Sequence, residues 1–558
     1  MTVSITDIHR WDAGDVREVF HATRNRAEAA FEAADGIAEL PAFGGWGGDA
    51  AEAAKEANGQ IRKDLDVHGN EALVVARAAA AAADRIQQVK NDLVQLEADV
   101  AAAGFELDPA SSTVMPGPAL EHDMVALLAK EAEREALQAR LNTILAEAVS
   151  ADEELARAIN MATGAEPIPD TPHTNDPELQ GALSRPLPED PKEFHDLWEK
   201  LTPEQREWLY RQDPNIGNHP GMPFAGDHTD PGRDYFNRRH LGELTETAQA
   251  EVDRLASQHP DWARSGDRFP VSVTPQQNGQ YADWKRQWDA ANSELNGYHA
   301  VSETLARNNG VPRYLGLLDD QGHAAVSIGN PDTATRTATL VPGTGQDMAS
   351  FVGSDGKSLD MFNAALDADP NLSAEDVAVT TWMGYDRPMN LFEAASPGRA
   401  EAGGAGLDAF IDGMHASHEG WFPATDTVVG HSYGSTLVGG ASSGGNHLAV
   451  DNVIAVGSPG MLVGHASEMS LDPGAQVYAT RAQHDIIHLV SGAALGLNPT
   501  WDGFGAIELA AAPGPSTGPP ILNLPSIGAH SSYWDEGNPA LANMGAIIVG
   551  MPPPEVVP

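Results

Sequence analysis

Through residues 1–164 the apolar positions recur at helical spacing. From Val75 they run Val75, Ala79, Ala82, Ile86, Val89, Leu93, Leu96 and Val100, in alternating steps of four and three. This is the seam of a helix that packs along other helices, as in a coiled coil. An earlier stretch carries Val16, Phe20, Thr23, Ala27, Ala30, Ala34 and Ile37 on one face, and a later one carries Leu137, Leu141, Ile144, Ala148, Ala151 and Leu155. The glycines at 44, 45, 47 and 48 break the first helix from the second, and Gly104 with residues 105–117 breaks the second from the third. The pattern predicts an all-α antiparallel bundle. Its middle helix, over about 49–103, would be on the order of 80 Å long.

Residues 165–192 are rich in proline and acid and read as a linker. Helical segments occupy 193–311, and from Pro312 the pattern changes to short apolar runs alternating with helices, which implies a mostly parallel sheet. A hairpin is expected from 314–318 and 324–328, followed by strands at 337–341 and 377–382, a strand through Val428 and Val429, and strands at 452–456, 476–480 and 506–509. Within 425–435, TDTVVGHSYGS, a strand ends at Gly430, His431, Ser432, Tyr433 and Gly434, and small residues suited to a helix follow. A G-x-S-x-G turn of this kind holds its serine in a strained conformation, and only glycine fits beside it. The hydroxyl is then presented at a helix N-terminus, where developing negative charge is favoured.

Composition narrows the possibilities further. With 558 residues, more than one domain is expected. The 34 basic and 80 acidic residues give a net charge of −46, which argues against nucleic acid as a partner and mildly for uncharged substrates. The absence of cysteine excludes disulfides, thiolate metal sites and a cysteine nucleophile. The first twenty residues lack a basic start followed by an apolar core, and no stretch has the length of a membrane span. The expectation is therefore a cytoplasmic protein, or one exported without a cleaved leader. His484 and His488 have helical metal-ligand spacing but no third ligand, and Gly343-Thr344-Gly345 begins like a dinucleotide loop without its last glycine. No cofactor or metal is implied.

Trp46-Gly47-Gly48, between two helices, resembles the W-x-G hairpin of small helical proteins exported by type VII secretion. That resemblance covers roughly the first hundred residues and implies helix-mediated self-association or a secretion partner. Leu197, Trp198, Leu201, the run from Asp213 through Gly217, Gly221, Pro223 and Arg233 through Asn237 are similar to the region ahead of the core in an actinobacterial family of α/β hydrolases of unknown function. With the strands above, this likeness spans about 194–550 and implies an α/β-hydrolase core over 312–558.

In that fold the acid follows the seventh strand and the histidine the eighth. Asp485 and His530 occupy those places, with Asp472 and Asp502 flanking the acid's region. The expected triad is Ser432, Asp485 and His530. Tyr433 and Thr344 would supply oxyanion amides, with Gly343 and Gly345 letting their loop approach closely and Gly430 and Gly434 flanking the serine. Residues 486–497 line an acyl pocket, cover it, or pack in the core. The chemistry expected is that of a carboxylic-ester hydrolase. An amidase, thioesterase or peptidase would use the same triad, and a non-catalytic interaction protein would work through the helices instead.

Overall fold

The computed structural model describes residues 3–38, 49–109, 111–118, 120, 130–163, 165, 187–265, 269–270, 273, 277–390, 393–420, 423–489, 493–517 and 524–557. Trp46-Gly47-Gly48 and residues 166–186 of the 165–192 stretch lie outside these residues. The chain forms two compact units, Met1–Leu187 and Pro188–Pro558.

The first unit contains α1 (Ile5–Arg10), α2 (Ala13–Ala38), α3 (Asp49–Ala102) and α4 (Glu131–Ala162). All eight seam residues of α3 are at most 4% exposed. Phe31 of α2 packs with Leu73 of α3, whereas Ala13 packs with Ile86, so the two helices run antiparallel. Leu137, Leu141, Ile144 and Ala148 of α4 bury the far end of the seam with Leu93, Leu96 and Val100. The 105–117 break is not plain loop. It forms an antiparallel hairpin, β1 (Phe105–Asp108) with β2 (Thr113–Pro116), whose Phe105 and Val114 enter the same cluster. Strands of four residues are too short to declare themselves by alternation.

In the second unit, α5 (Pro191–Trp198), α6 (Pro203–Gln212), α7 (Arg233–Gln258) and α8 (Asn278–Ala306) precede the sheet. The strands are β3 (Arg313–Leu318), β4 (Ala324–Ile328), β5 (Arg336–Val341), β6 (Val377–Met383), β7 (Thr425–His431), β8 (Asn452–Val456), β9 (Gln476–Thr480) and β10 (Ile507–Leu509). Their spatial order is β10-β9-β8-β7-β5-β6-β4-β3, with β4 antiparallel to both neighbours and the other pairs parallel. Helices cover both faces, so the central strands are apolar on both sides. Val428 points to the face packed by α10 (Gly398–Ser417) and α11 (Tyr433–Ala441), while Val429 points to the face packed by α9 (Phe351–Ala368) and α12 (Pro539–Ile548). Helices α7 and α8 pack directly on β3 and β4 through Leu241, Leu255, Tyr298, Leu315 and Val326, so they share a core with the sheet.

One partly buried ionic contact secures the loop after β6. His323, at the β3–β4 turn, meets Asp319 at 2.7 Å and Asp386, beyond β6, at 3.4 Å. Burial by itself would lower the His323 pKa, but the two carboxylates outweigh it and hold it at about 10. Because the folded value lies above the ordinary 6.5, the stabilisation is full below that pH and is lost as pH rises through about 10. Urea unfolding should therefore show a clear stability gap between the wild type and His323→Gln near neutrality, and that gap should close toward about pH 10.

Candidate active site

The centre of the site is the end of β7. Ser432 has φ 55° and ψ −129°, a conformation that a non-glycine residue keeps only when its surroundings enforce it. Its amide donates to the Val456 carbonyl of β8 (2.8 Å), and its carbonyl accepts from the Ser435 amide (3.0 Å) and hydroxyl (2.6 Å) in the first turn of α11. Glycine is required on both sides. A Cβ on Gly434 would stand 2.0 Å from the Val341 carbonyl oxygen, and one on Gly430 would stand 2.5 Å from the Ser435 Cα.

The loop after β5 closes over this turn. A Cβ on Gly343 would lie 2.8 Å from the Tyr433 amide nitrogen and 2.8 Å from the Ser432 Cβ, so the two backbones are in direct approach. Tyr433 is the first residue of α11 and its amide has no carbonyl one turn earlier to bond. The Gly345 amide donates to the Pro388 carbonyl (2.8 Å), which fixes the loop on which Thr344 sits. The Tyr433 ring is fully buried, and its hydroxyl donates to the Ser396 carbonyl (2.5 Å).

His530 ends a single helical turn, Ile527–His530, capped by the Ser526 hydroxyl. Its Nδ1 faces both Asp485 oxygens, at 2.8 and 2.9 Å, so Nε2 lies on the far side of the ring. Asp485 is completely buried. Two further donors satisfy it: the Ile487 amide (2.8 Å) and the Tyr533 hydroxyl, which in turn accepts from the Ala482 amide (3.0 Å). Burial and the adjacent carboxylate push the Tyr533 pKa upward, so Tyr533 stays a donor. The ends of β7 and β8 meet this pair. A Cβ on Gly457 would lie 2.9 Å from an Asp485 oxygen and 3.2 Å from the His530 Nδ1.

Of the three aspartates weighed from sequence, it is Asp485 that meets His530. Asp472 pairs instead with His447 at the surface (3.2 Å), and Asp502 is exposed. His484 bonds the Gly514 carbonyl through Nδ1 (2.8 Å), which gives it a structural partner. Within 486–497, Leu495 and Leu497 pack in the core cluster under α10 and α11. Sequence reasoning passed over Tyr533 and His431. Their only local signal was proximity, three residues after His530 and one before Ser432.

The strand order, the strained serine turn and the buried Asp–His pair together define an α/β-hydrolase fold. Residues 319–496 match the family described as "Alpha/beta hydrolase", and residues 41–186 match the family described as "Uncharacterised protein Rv0964c". The chain is 31% identical over 392 residues to "Uncharacterized protein Rv2079" of Mycobacterium tuberculosis, a match covering 64% of this chain and 55% of that protein. It therefore spans about half the length of that relative. It is also 31% identical over 206 residues to "Uncharacterized protein Rv0963c" of the same organism, covering 34% of this chain and 73% of that protein, and the chain belongs to this mycobacterial protein family. Among solved structures, an esterase of Pyrobaculum calidifontis aligns at 12% identity and TM-score 0.25 over 46% of this chain and 91% of its own.

Tyr533→Phe removes one donor from a buried carboxylate and leaves the Ala482 amide without its acceptor. A loss of about 1–3 kcal/mol is expected in urea unfolding.

Proposed function

We propose that the second unit is a serine hydrolase that cleaves uncharged carboxylic esters through Ser432, His530 and Asp485. The observation that carries this reading is the bidentate approach of a fully buried Asp485 to His530 Nδ1 beside a strained serine turn. In this mechanism the Ser432 hydroxyl attacks the ester carbonyl carbon while His530 Nε2 takes its proton. Asp485 holds the ring in the Nδ1–H tautomer and stabilises the imidazolium. The tetrahedral oxyanion is held by the Tyr433 and Thr344 amides, at the place where Gly343 lets the two backbones meet. Collapse expels the alcohol, which receives the proton from His530, and leaves an acyl-enzyme. Water, deprotonated by the same histidine, then releases the acid.

The acidity of the whole chain supports a neutral acyl substrate over an anionic one. We read residues 1–164 as a separable helical module joined through 165–192 to a lead-in over 193–311 and a core over 312–558. The resemblance of residues 46–48 to a W-x-G turn supports type VII export or helix-mediated association as that module's role.

Labelling of the purified full chain with a fluorophosphonate probe tests the chemistry. Wild type should label, and Ser432→Ala and His530→Ala should not. Hydrolysis of p-nitrophenyl esters should fall by about 10⁴-fold or more in either variant. A folded wild type that neither labels nor hydrolyses any ester, thioester or amide of a panel would overturn the reading.

A further inference from the structure

His431, the residue ahead of the serine, has no part in the scheme above, yet it is built into the site. It is 5% exposed, and its Nε2 lies 2.8 Å from the main-chain carbonyl oxygen of His530. A carbonyl only accepts, so Nε2 carries the proton and donates. The ring is enclosed on its other sides. The His530 ring stands 4.9 Å away, and Trp534 meets it edge-on at 4.9 Å and 85°. The Lys357 ammonium lies 4.5 Å over the Trp534 ring. Burial, the Lys357 charge and His530 together push the His431 pKa well below its ordinary value, so His431 is a neutral donor in a single tautomer.

The consequence concerns the position of His530. Its side chain is tied to Asp485, and Tyr533, three residues on, is tied to the same carboxylate. Both contacts hold the loop to the β9 side. His431 supplies the remaining tie, from the end of β7, the strand that carries Ser432. Among the described residues no other hydrogen bond joins the main chain of His530 to the serine's own strand.

We propose that His431 is a positioning residue that sets the distance between the His530 imidazole and the Ser432 hydroxyl by holding the His530 carbonyl. The catalytic part of this statement rests on the serine-hydrolase reading; the structural part does not.

The experiment compares the full-length wild type with His431→Phe and His431→Leu, which pack but cannot donate, and His431→Gln, whose amide can reach the same carbonyl. Turnover of p-nitrophenyl acetate and the rate of fluorophosphonate labelling are measured beside the low-field proton resonance of the His530 Nδ1–H, assigned by its loss in His530→Ala. In the folded Phe or Leu variant, kcat and the labelling rate should fall by about 10- to 100-fold, with KM nearly unchanged and the resonance shifted or broadened. His431→Gln should restore all three. Wild-type rates and an unmoved resonance in a non-donor variant would overturn the proposal, as would a Gln variant that is folded but as slow as Phe. If the wild type proves inert toward every substrate and probe, the hydrolase reading fails, while the resonance still decides whether His431 positions His530. Two non-donor variants keep the comparison available if one of them does not fold.

Discussion

The site depends on one steric constraint, the approach of the turn after β7 to the end of β5. With the Val341 carbonyl standing 2.0 Å from where a Gly434 side chain would begin, only a bare Cα fits there. The same closeness brings Gly343 against the Tyr433 amide and holds Ser432 at positive φ. The strain at Ser432 is of order 1–3 kcal/mol and persists because parallel strands on both sides of β7 fix where it ends. A serine placed this way stands at a helix N-terminus, against the loop after β5 and the end of β8.

Around this backbone frame the Asp485 carboxylate is fully partnered. Asp485 is buried in a chain of net charge −46, but its oxygens are met by an imidazole, a phenol and an amide. Each partner offsets part of the cost of taking a carboxylate out of water. Lys357 supplies the contrast. Burial lowers its pKa to about 8, and its ammonium rests on the face of Trp534.

The first unit is held by a different principle. The α3 stripe buries alanines and branched residues at steps of three and four, which lets α2 and α4 pack along it, and Gly104 at φ 83° ends the helix where the hairpin begins. Separate family matches, over 41–186 and 319–496, follow the division into two units.

What the sequence by itself determined was everything with a local period or a local turn. The α3 seam, the strand ranges of β4, β8 and β9 and the glycine-flanked serine were legible because each is a pattern within a few residues. Chain order after the elbow was also legible, and it singled out Asp485 and His530 as positions. Only the tertiary structure decided which groups meet. The side-chain partners of Asp485 lie 45 and 48 residues away, and the His431 contact to His530 spans 99. No periodicity encodes such pairs; they exist because parallel strands deliver distant segments to the same, C-terminal end of one sheet. The same limit hid the 105–116 hairpin, whose short strands are held by burial of Phe105 and Val114 against the helices rather than by any pattern of their own.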